Sequence, residues 1–348
     1  MMRIGLVGCG FIGFLHSYAL RQLGDAGLIE ARVVGTVDPD PARAAAIAAH
    51  HEARAFGSLP ALVDAVDVVW VCTWTAAHRE VVDAAVERGR AVFCEKPLAP
   101  NLAEAEAVAT ALERVPHQVG LVLRYAPVFG TIATAVASGR YGAPMATILR
   151  DDQYFPVQGI YASEWRADLD RAGGGTLLEH SIHDVDVLRW ILGDPTEVAA
   201  RIGTRFGHAG IDDIATLTFS YGDASTATIV SVWHQILTRG STRRLEVFCE
   251  EGLLWTDDDY LGPVRVETSA GAETIEPPAP LWMDRLDVPD AFAKPLGQYA
   301  APTKAFLDAL AAGATCCRPA AGDALAAHRL VDGAYQSAAA GGNPVAVA

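Results

Sequence analysis

Residues 179–186, EHSIHDVD, place two histidines and three carboxylates in eight positions, directly after Gly173, Gly174 and Gly175. A cluster of this kind could hold a metal, shuttle a proton, or cap and solubilise a helix. With 176–192 read as one helix, Glu179 and His183 lie four apart and share a face. His180 and His183 share a face with Asp184 only partly, and Asp186 points elsewhere. Metal sites on helices usually draw ligands from further elements, and none is identifiable, so no metal is expected. Imidazole suits general acid/base work because its ordinary pKa lies near working pH.

Two other stretches carry chemistry. Lys96, in Glu95-Lys96-Pro97, follows the apolar run AVFC. Proline stops ladder pairing there, so the lysine should project over the carboxyl edge of a sheet, where open α/β sheets bind ligands. Gly8-Cys9-Gly10-Phe11-Ile12-Gly13 follows the strand-like run RIGLVG and opens a helix. Its glycines serve a tight turn, a close approach to a pyrophosphate and tight helix–strand packing. The phosphate would sit on the helix N-terminus. Asp38 ends the next apolar run, where a carboxylate accepts from a ribose diol and repels a 2′-phosphate. NAD is therefore expected over NADP, unless Asp38 is only a helix N-cap.

The elements that must position these residues change character along the chain. The first third alternates short apolar runs (RIGLVG, ARVVGTVD, DVVWVCT, AVFCEKP) with helical stretches at 12–23, 41–50 and 79–87. That pattern implies βαβ units and a parallel sheet. From about Pro144 the runs ATILRDDQYF, EVAARIGTRF, IATLTFSY, STATIVSVW, RRLEVFCEEGLLW and PVRVETS alternate apolar and polar residues, as half-buried antiparallel strands do. EPPAPLW reads as a loop, and 302–340 as helix broken between Gly313 and Gly322. The expected class is α/β: a dinucleotide-binding domain over 1–122 and an α+β domain over 123–348.

Bulk properties narrow the function. The length of 348 residues favours two domains. A net charge of −15 opposes the positive field that nucleic acid requires. No apolar run reaches the roughly 18 residues that span a membrane. The six cysteines lack CxxC spacing, and Cys316 and Cys317 are neighbours, so a reduced, cytoplasmic protein is expected.

Four motifs together give the chain its resemblance: the glycine motif with His16 three residues beyond it, Asp67-VVWVCTWTAA-His78, Glu95-Lys96-Pro97, and GGGTLLEHSIHDVDVLRWILGD. The chain resembles the Gfo/Idh/MocA family, the glucose-fructose oxidoreductase and inositol dehydrogenase group, nearly end to end. The resemblance implies an N-terminal Rossmann domain and a C-terminal α+β domain with an open, mostly antiparallel sheet, whose face commonly builds a homodimer or homotetramer. It implies reversible hydride transfer between a nicotinamide and a secondary alcohol of a sugar or cyclitol. Lys96 would then stand beside the substrate hydroxyl and stabilise developing alkoxide. His183 would be the acid/base, and Glu179, where many relatives carry aspartate, would orient it or bind a neighbouring hydroxyl.

Thr73, Trp74, His78, Glu95 and Lys96 are expected at the cofactor, with Trp74 near the nicotinamide ribose or the pocket mouth, Glu95 holding the loop or that ribose, and His78 at a position more often structural than catalytic. Thr73-Trp74 stands where relatives commonly have Thr-Pro, and an indole there can stack on a sugar face. Arg124 and Tyr125 match a family site near the substrate. Tyr154, Trp165, Arg166 and His180 are expected around the pocket. The alternative within the fold is a redox-neutral lyase, glycosidase or epimerase using bound NAD transiently.

Overall fold

Short runs of β-branched and apolar residues become strands buried on both faces when helices cover both sides of a parallel sheet. The structure is a computed structural model; it describes residues 1–222 and 224–347, without the side chains of residues 290, 291, 293 and 294. In the first third, β1 (Met2–Val7), β2 (Ala31–Val37), β3 (Arg54–Ala55), β4 (Val68–Val71), β5 (Ala91–Cys94) and β6 (His117–Val119) form a parallel sheet. Its order is β3-β2-β1-β4-β5-β6, which reverses direction between β1 and β4 and so creates a crevice at their carboxyl ends. The crossovers are α1 (Phe11–Asp25), α2 (Pro41–His50), α3 (Leu59–Ala65), α4 (His78–Glu87) and α5 (Leu102–Leu112). Local chemistry starts two of them. Asp40 caps the Ala42 amide with Pro41 in the first turn, and Asn101 caps that of Glu104.

The remaining chain begins with α6 (Pro127–Ala137), β7 (Pro144–Tyr154), α7 (Leu169–Ala172) and α8 (Ile182–Leu192). The strands β8 (Glu197–Gly203), β9 (Ile214–Ser220), β10 (Thr226–His234), β11 (Thr242–Cys249), β12 (Gly252–Thr256), β13 (Val264–Thr268) and β14 (Gly271–Ile275) follow. Last come α9 (Asp290–Ala311), α10 (Ala321–Ala339) and β15 (Val345–Ala346). Among the described residues these strands form a nine-stranded sheet, β14-β13-β12-β11-β7-β10-β9-β8-β15. Every pairing is antiparallel except β7 with β10. The alternation seen in the sequence is kept: Arg243, Leu245, Val247 and Cys249 of β11 face inward.

Two compact units result: 1–122 with 280–325, and 123–279 with 326–348. A continuous second domain over 123–348 was the expectation, but the 280–325 segment joins the first unit. The cause is packing. Phe306 and Leu307 of α9 sit in the core of the parallel sheet, where Trp70 and Phe93 stack at 4.4 Å and Phe306 meets Trp70 edge-on at 5.8 Å. Such aromatic pairs contribute about 1 kcal/mol each beyond their buried area. Helix α9 also starts at Asp290, earlier than the alanine-rich stretch suggests, and carries Pro295 and Pro302 inside it. Among the described residues no helix is long and apolar enough to cross a membrane.

Candidate active site

In the first unit, four adjacent strand ends bring the expected cofactor residues to one edge of the sheet. The glycine motif follows β1, Asp38 follows β2, Thr73 and Trp74 follow β4, and Glu95 and Lys96 follow β5. Gly8 has φ +91°, and a Cβ there would lie 2.5 Å from the Cys72 carbonyl, so this turn requires glycine. A Cβ on Gly13 would strike the Gly8 oxygen at 2.1 Å. One on Gly10 would meet nothing within 4 Å. The cradle is thus closed on the sheet side and open at Gly10, beside an α1 N-terminus that has no side-chain cap and no acidic residue in its first turn. Those are the conditions an anionic pyrophosphate needs, with Phe11 and Ile12 forming the first turn. The residues fit a dinucleotide.

Asp38 is not the cap of α2, a task that falls to Asp40. Its Oδ2 accepts from the Cys9 amide at 2.7 Å and its Oδ1 from the Asp40 amide at 2.8 Å. The carboxylate is therefore held half-buried at the mouth of the glycine turn, with lone pairs left for a further donor. Burial pushes the neighbouring Cys9 thiol up to about 12, with Asp38 adding to the shift, so it stays neutral beside the cradle. His78 stands at a position more often structural than catalytic. Expected at the cofactor, it is buried, with Nδ1 2.8 Å from the Pro97 carbonyl and Nε2 3.3 Å from that of Thr73. Both nitrogens face backbone, and burial lowers its pKa. It ties the loop after β4 to the loop after β5. Glu95 is also turned inward, its Oε1 2.8 Å from His16 Nε2 and its Oε2 accepting from the Lys96 amide at 3.2 Å. Thr73, Trp74 and Lys96 are half-buried.

In the second unit, residues 176–192 are not the single helix that spacing suggested. Thr176–His180 form a π turn, Ser181 breaks it, and α8 starts at Ile182. Glu179 is therefore on the wide turn and His183 on the helix, so the four-residue α-helical argument does not describe them. The cause lies in what holds the first turn. Asp212 accepts from the Gly175 and Leu177 amides at 2.8 and 2.9 Å, and its own carbonyl accepts from Thr176. A Cβ on Gly175 would lie 1.8 Å from the Asp212 oxygen. Tyr335 of α10 donates to the same carboxylate at 2.7 Å. Burial raises the pKa of Asp212 against the pull of these donors.

Glu179 is buried and paired with Arg166, Nε to Oε2 3.4 Å, while the Arg166 guanidinium covers the Trp165 ring at 4.4 Å. Arg166, Trp165 and Glu179 are thus brought together, and His183 is nearly buried in the first turn of α8. Arg124 differs from expectation: its Nε and one terminal nitrogen both donate to Asp186 at 2.7 Å. This two-point pair anchors α8; the sequence reading had placed Arg124 near the substrate. Tyr125, beside it in a 3-10 turn, is half-buried. Tyr154 is buried against Tyr161 and accepts from the Ile160 amide. His180 Nε2 lies 3.4 Å from Asp151.

Sequence reasoning missed Asp151, Arg243 and Asp212. Arg243 donates to Asp184 at 2.8 Å and to Asp151 at 3.4 Å, and Ser181 donates to Asp151 at 3.1 Å. Burial raises Asp151 well above the usual carboxylate range; Arg243 opposes the shift and Asp184 adds to it. A signal was present for two of them. Asp151 and Arg243 occupy the inward phase of strands that also bury Leu149, Leu245 and Val247, and a charge in that phase must be paired. Asp212, in a loop, has no periodic signal.

The sequence profile described as "Oxidoreductase family, NAD-binding Rossmann fold" matches residues 2–122, and that of the GFO/IDH/MocA C-terminal domain matches 129–255. The chain belongs to the GFO/IDH/MocA oxidoreductase family. Inositol 2-dehydrogenase of Rhizobium meliloti (strain 1021) is 30% identical over 352 residues, covering 97% of each chain. Inositol 2-dehydrogenase of Paracoccus denitrificans (strain Pd 1222) is 30% identical over 364 residues, covering 99% of this chain and 96% of that one. Levoglucosan dehydrogenase, solved with NADH and levoglucosan, has the same fold: TM-score 0.86 over 99% of both chains at 20% identity. As a GFO/IDH/MocA member the chain is an NAD-binding oxidoreductase with a Rossmann sheet and a mostly antiparallel second sheet.

Proposed function

We propose that this oxidoreductase acts on a secondary alcohol of a sugar or cyclitol, an inositol-like polyol, reversibly and with NAD. The observation that carries the reading is the place of Lys96, two strands from the glycine turn on the same carboxyl edge of the parallel sheet. Full-length similarity to two inositol 2-dehydrogenases supports the substrate class. Bound nicotinamide would supply the hydride acceptor. The chain's own residues would do the rest. The Lys96 ammonium stabilises negative charge developing on the substrate oxygen. His183 removes the hydroxyl proton, and Glu179, held by Arg166, accepts from a neighbouring hydroxyl. Trp74 and Trp165 offer aromatic surface, and Tyr125 and His180 polar groups, as polyol recognition needs.

Asp38 supports NAD over NADP, because a carboxylate at the end of the second strand can accept from a ribose diol and would repel a 2′-phosphate. Self-association through the second sheet is proposed on its outer face, where Ile148 is exposed and aligned with Glu246, Trp255 and Arg265 across β7, β11, β12 and β13. A reducing, cytoplasmic location fits six free cysteines. The test is a panel of inositols, aldoses and anhydrosugars with NAD and with NADP, read by nicotinamide absorbance. Net reduction of NAD by a cyclitol or sugar is expected. Product formed with no net reduced nicotinamide would replace this reading with a redox-neutral one.

A further inference from the structure

His16 is the most enclosed titratable side chain on α1, and none of the roles above uses it. Its ring is fully buried among Trp70, Phe93 and Tyr299, at 6.0, 5.0 and 5.1 Å between centroids. Nε2 lies 2.8 Å from Glu95 Oε1, and among the described residues Nδ1 meets no donor or acceptor. The proton therefore belongs on Nε2, making the imidazole a donor to the carboxylate. The other oxygen of Glu95 accepts from the Lys96 amide. Room for the carboxylate comes from Gly120, where a Cβ would sit 2.5 Å from Oε1.

A polar pair in such a place is a poor stability device. The surroundings are apolar, and a buried pair of this kind is often replaced by well-packed hydrophobes without loss. What the pair does is join the helix of the glycine turn to the residue before Lys96. The other side of the same turn is held by His78 at Pro97.

We infer that His16 is a positioning residue for Lys96, acting through the Glu95 carboxylate to fix the turn between β5 and Pro97. This rests on the proposed role of Lys96 in turnover. A displacement of about 1 Å in a group at the reacting centre costs on the order of 100-fold in rate, which sets the size of the effect.

The experiment compares wild type with His16→Leu, His16→Asn, which is too short to reach Glu95, and His16→Gln, which restores an N–H donor. Three quantities are read: kcat, the Kd for NAD, and the rate at which Lys96 is arylated by trinitrobenzenesulfonate, followed on its peptide by mass spectrometry. Expected for the Leu and Asn variants is a fall in kcat of about 30- to 100-fold with NAD affinity unchanged and an altered Lys96 labelling rate. Expected for Gln is recovery of both. Unchanged Lys96 labelling in folded Leu and Asn variants overturns the inference, as does a folded Gln variant that behaves like Leu. Loss of folding in both Leu and Asn also overturns it, because the pair would then be a stability element. Altered labelling with unchanged kcat upholds the positioning and sinks instead the role proposed for Lys96.

Discussion

At the scale of single residues, the candidate site is built from buried charges that each have a designated partner. Asp186 takes Arg124, Asp184 takes Arg243, and Glu179 takes Arg166. Removing one member of such a pair is costly because the other stays desolvated. Arg166→Met should therefore destabilise the protein by about 1–3 kcal/mol in urea unfolding, and raise KM for the polyol as Glu179 loses its hold; unchanged stability and KM would mean the 3.4 Å pair contributes nothing. Asp38→Ala should act on the cofactor. It removes a carboxylate that holds the Cys9 amide and would meet the ribose, so the preference for NAD over NADP should fall about tenfold. An unchanged ratio of kcat/KM values would confine Asp38 to the turn itself.

At the scale of elements, the decisive feature is the wide turn at Thr176–His180 and the break at Ser181 before α8. Asp212 holds it with two amides and the Tyr335 hydroxyl. Asp212→Ala would leave those donors buried without their acceptor, at about 1–3 kcal/mol for each group left unsatisfied. A loss of several kcal/mol is expected in denaturant unfolding, and NAD affinity, which belongs to the other unit, should survive it. A variant with wild-type stability would show that the turn holds itself. This element also marks where sequence reading stops. The parallel strands were legible because burial on both faces writes continuous apolar runs, and the β11 pattern was legible because one buried face writes alternation. The π turn was not, because it depends on Asp212, 36 residues beyond Thr176 and in no periodic segment. The strand-end positions of Lys96 and Asp38 were legible because each follows a run of strand residues, and strand ends are where an open α/β sheet binds.

For the whole molecule, buried histidines of the first unit should make stability sensitive to acid between pH 6.5 and 4. Burial, reinforced by Arg21 and His50, lowers the pKa of His51 from 6.5 to about 4, and burial lowers that of His78 as well. A histidine whose folded pKa is depressed binds its proton more readily when unfolded. Its contribution to stability is complete above about 6.5 and is lost as pH falls toward the folded value. Thermal midpoints should therefore drop between pH 6.5 and 4, and His51→Gln should drop less; equal slopes for variant and wild type would remove His51 from the account.

Residues 280–325 return to the first unit, a connection that local pattern does not encode, since it depends on Phe306 and Leu307 finding the Trp70–Phe93 stack.

The central claim is that Lys96 and His183 carry the oxidation of a polyol by this NAD-binding oxidoreductase. Its most direct test is a single-turnover mixing experiment with saturating NAD and the best substrate from the panel, comparing wild type with Lys96→Ala and His183→Ala. Both variants should bind NAD as wild type does and reduce it at least about 100-fold more slowly. Near wild-type reduction by either variant would contradict it.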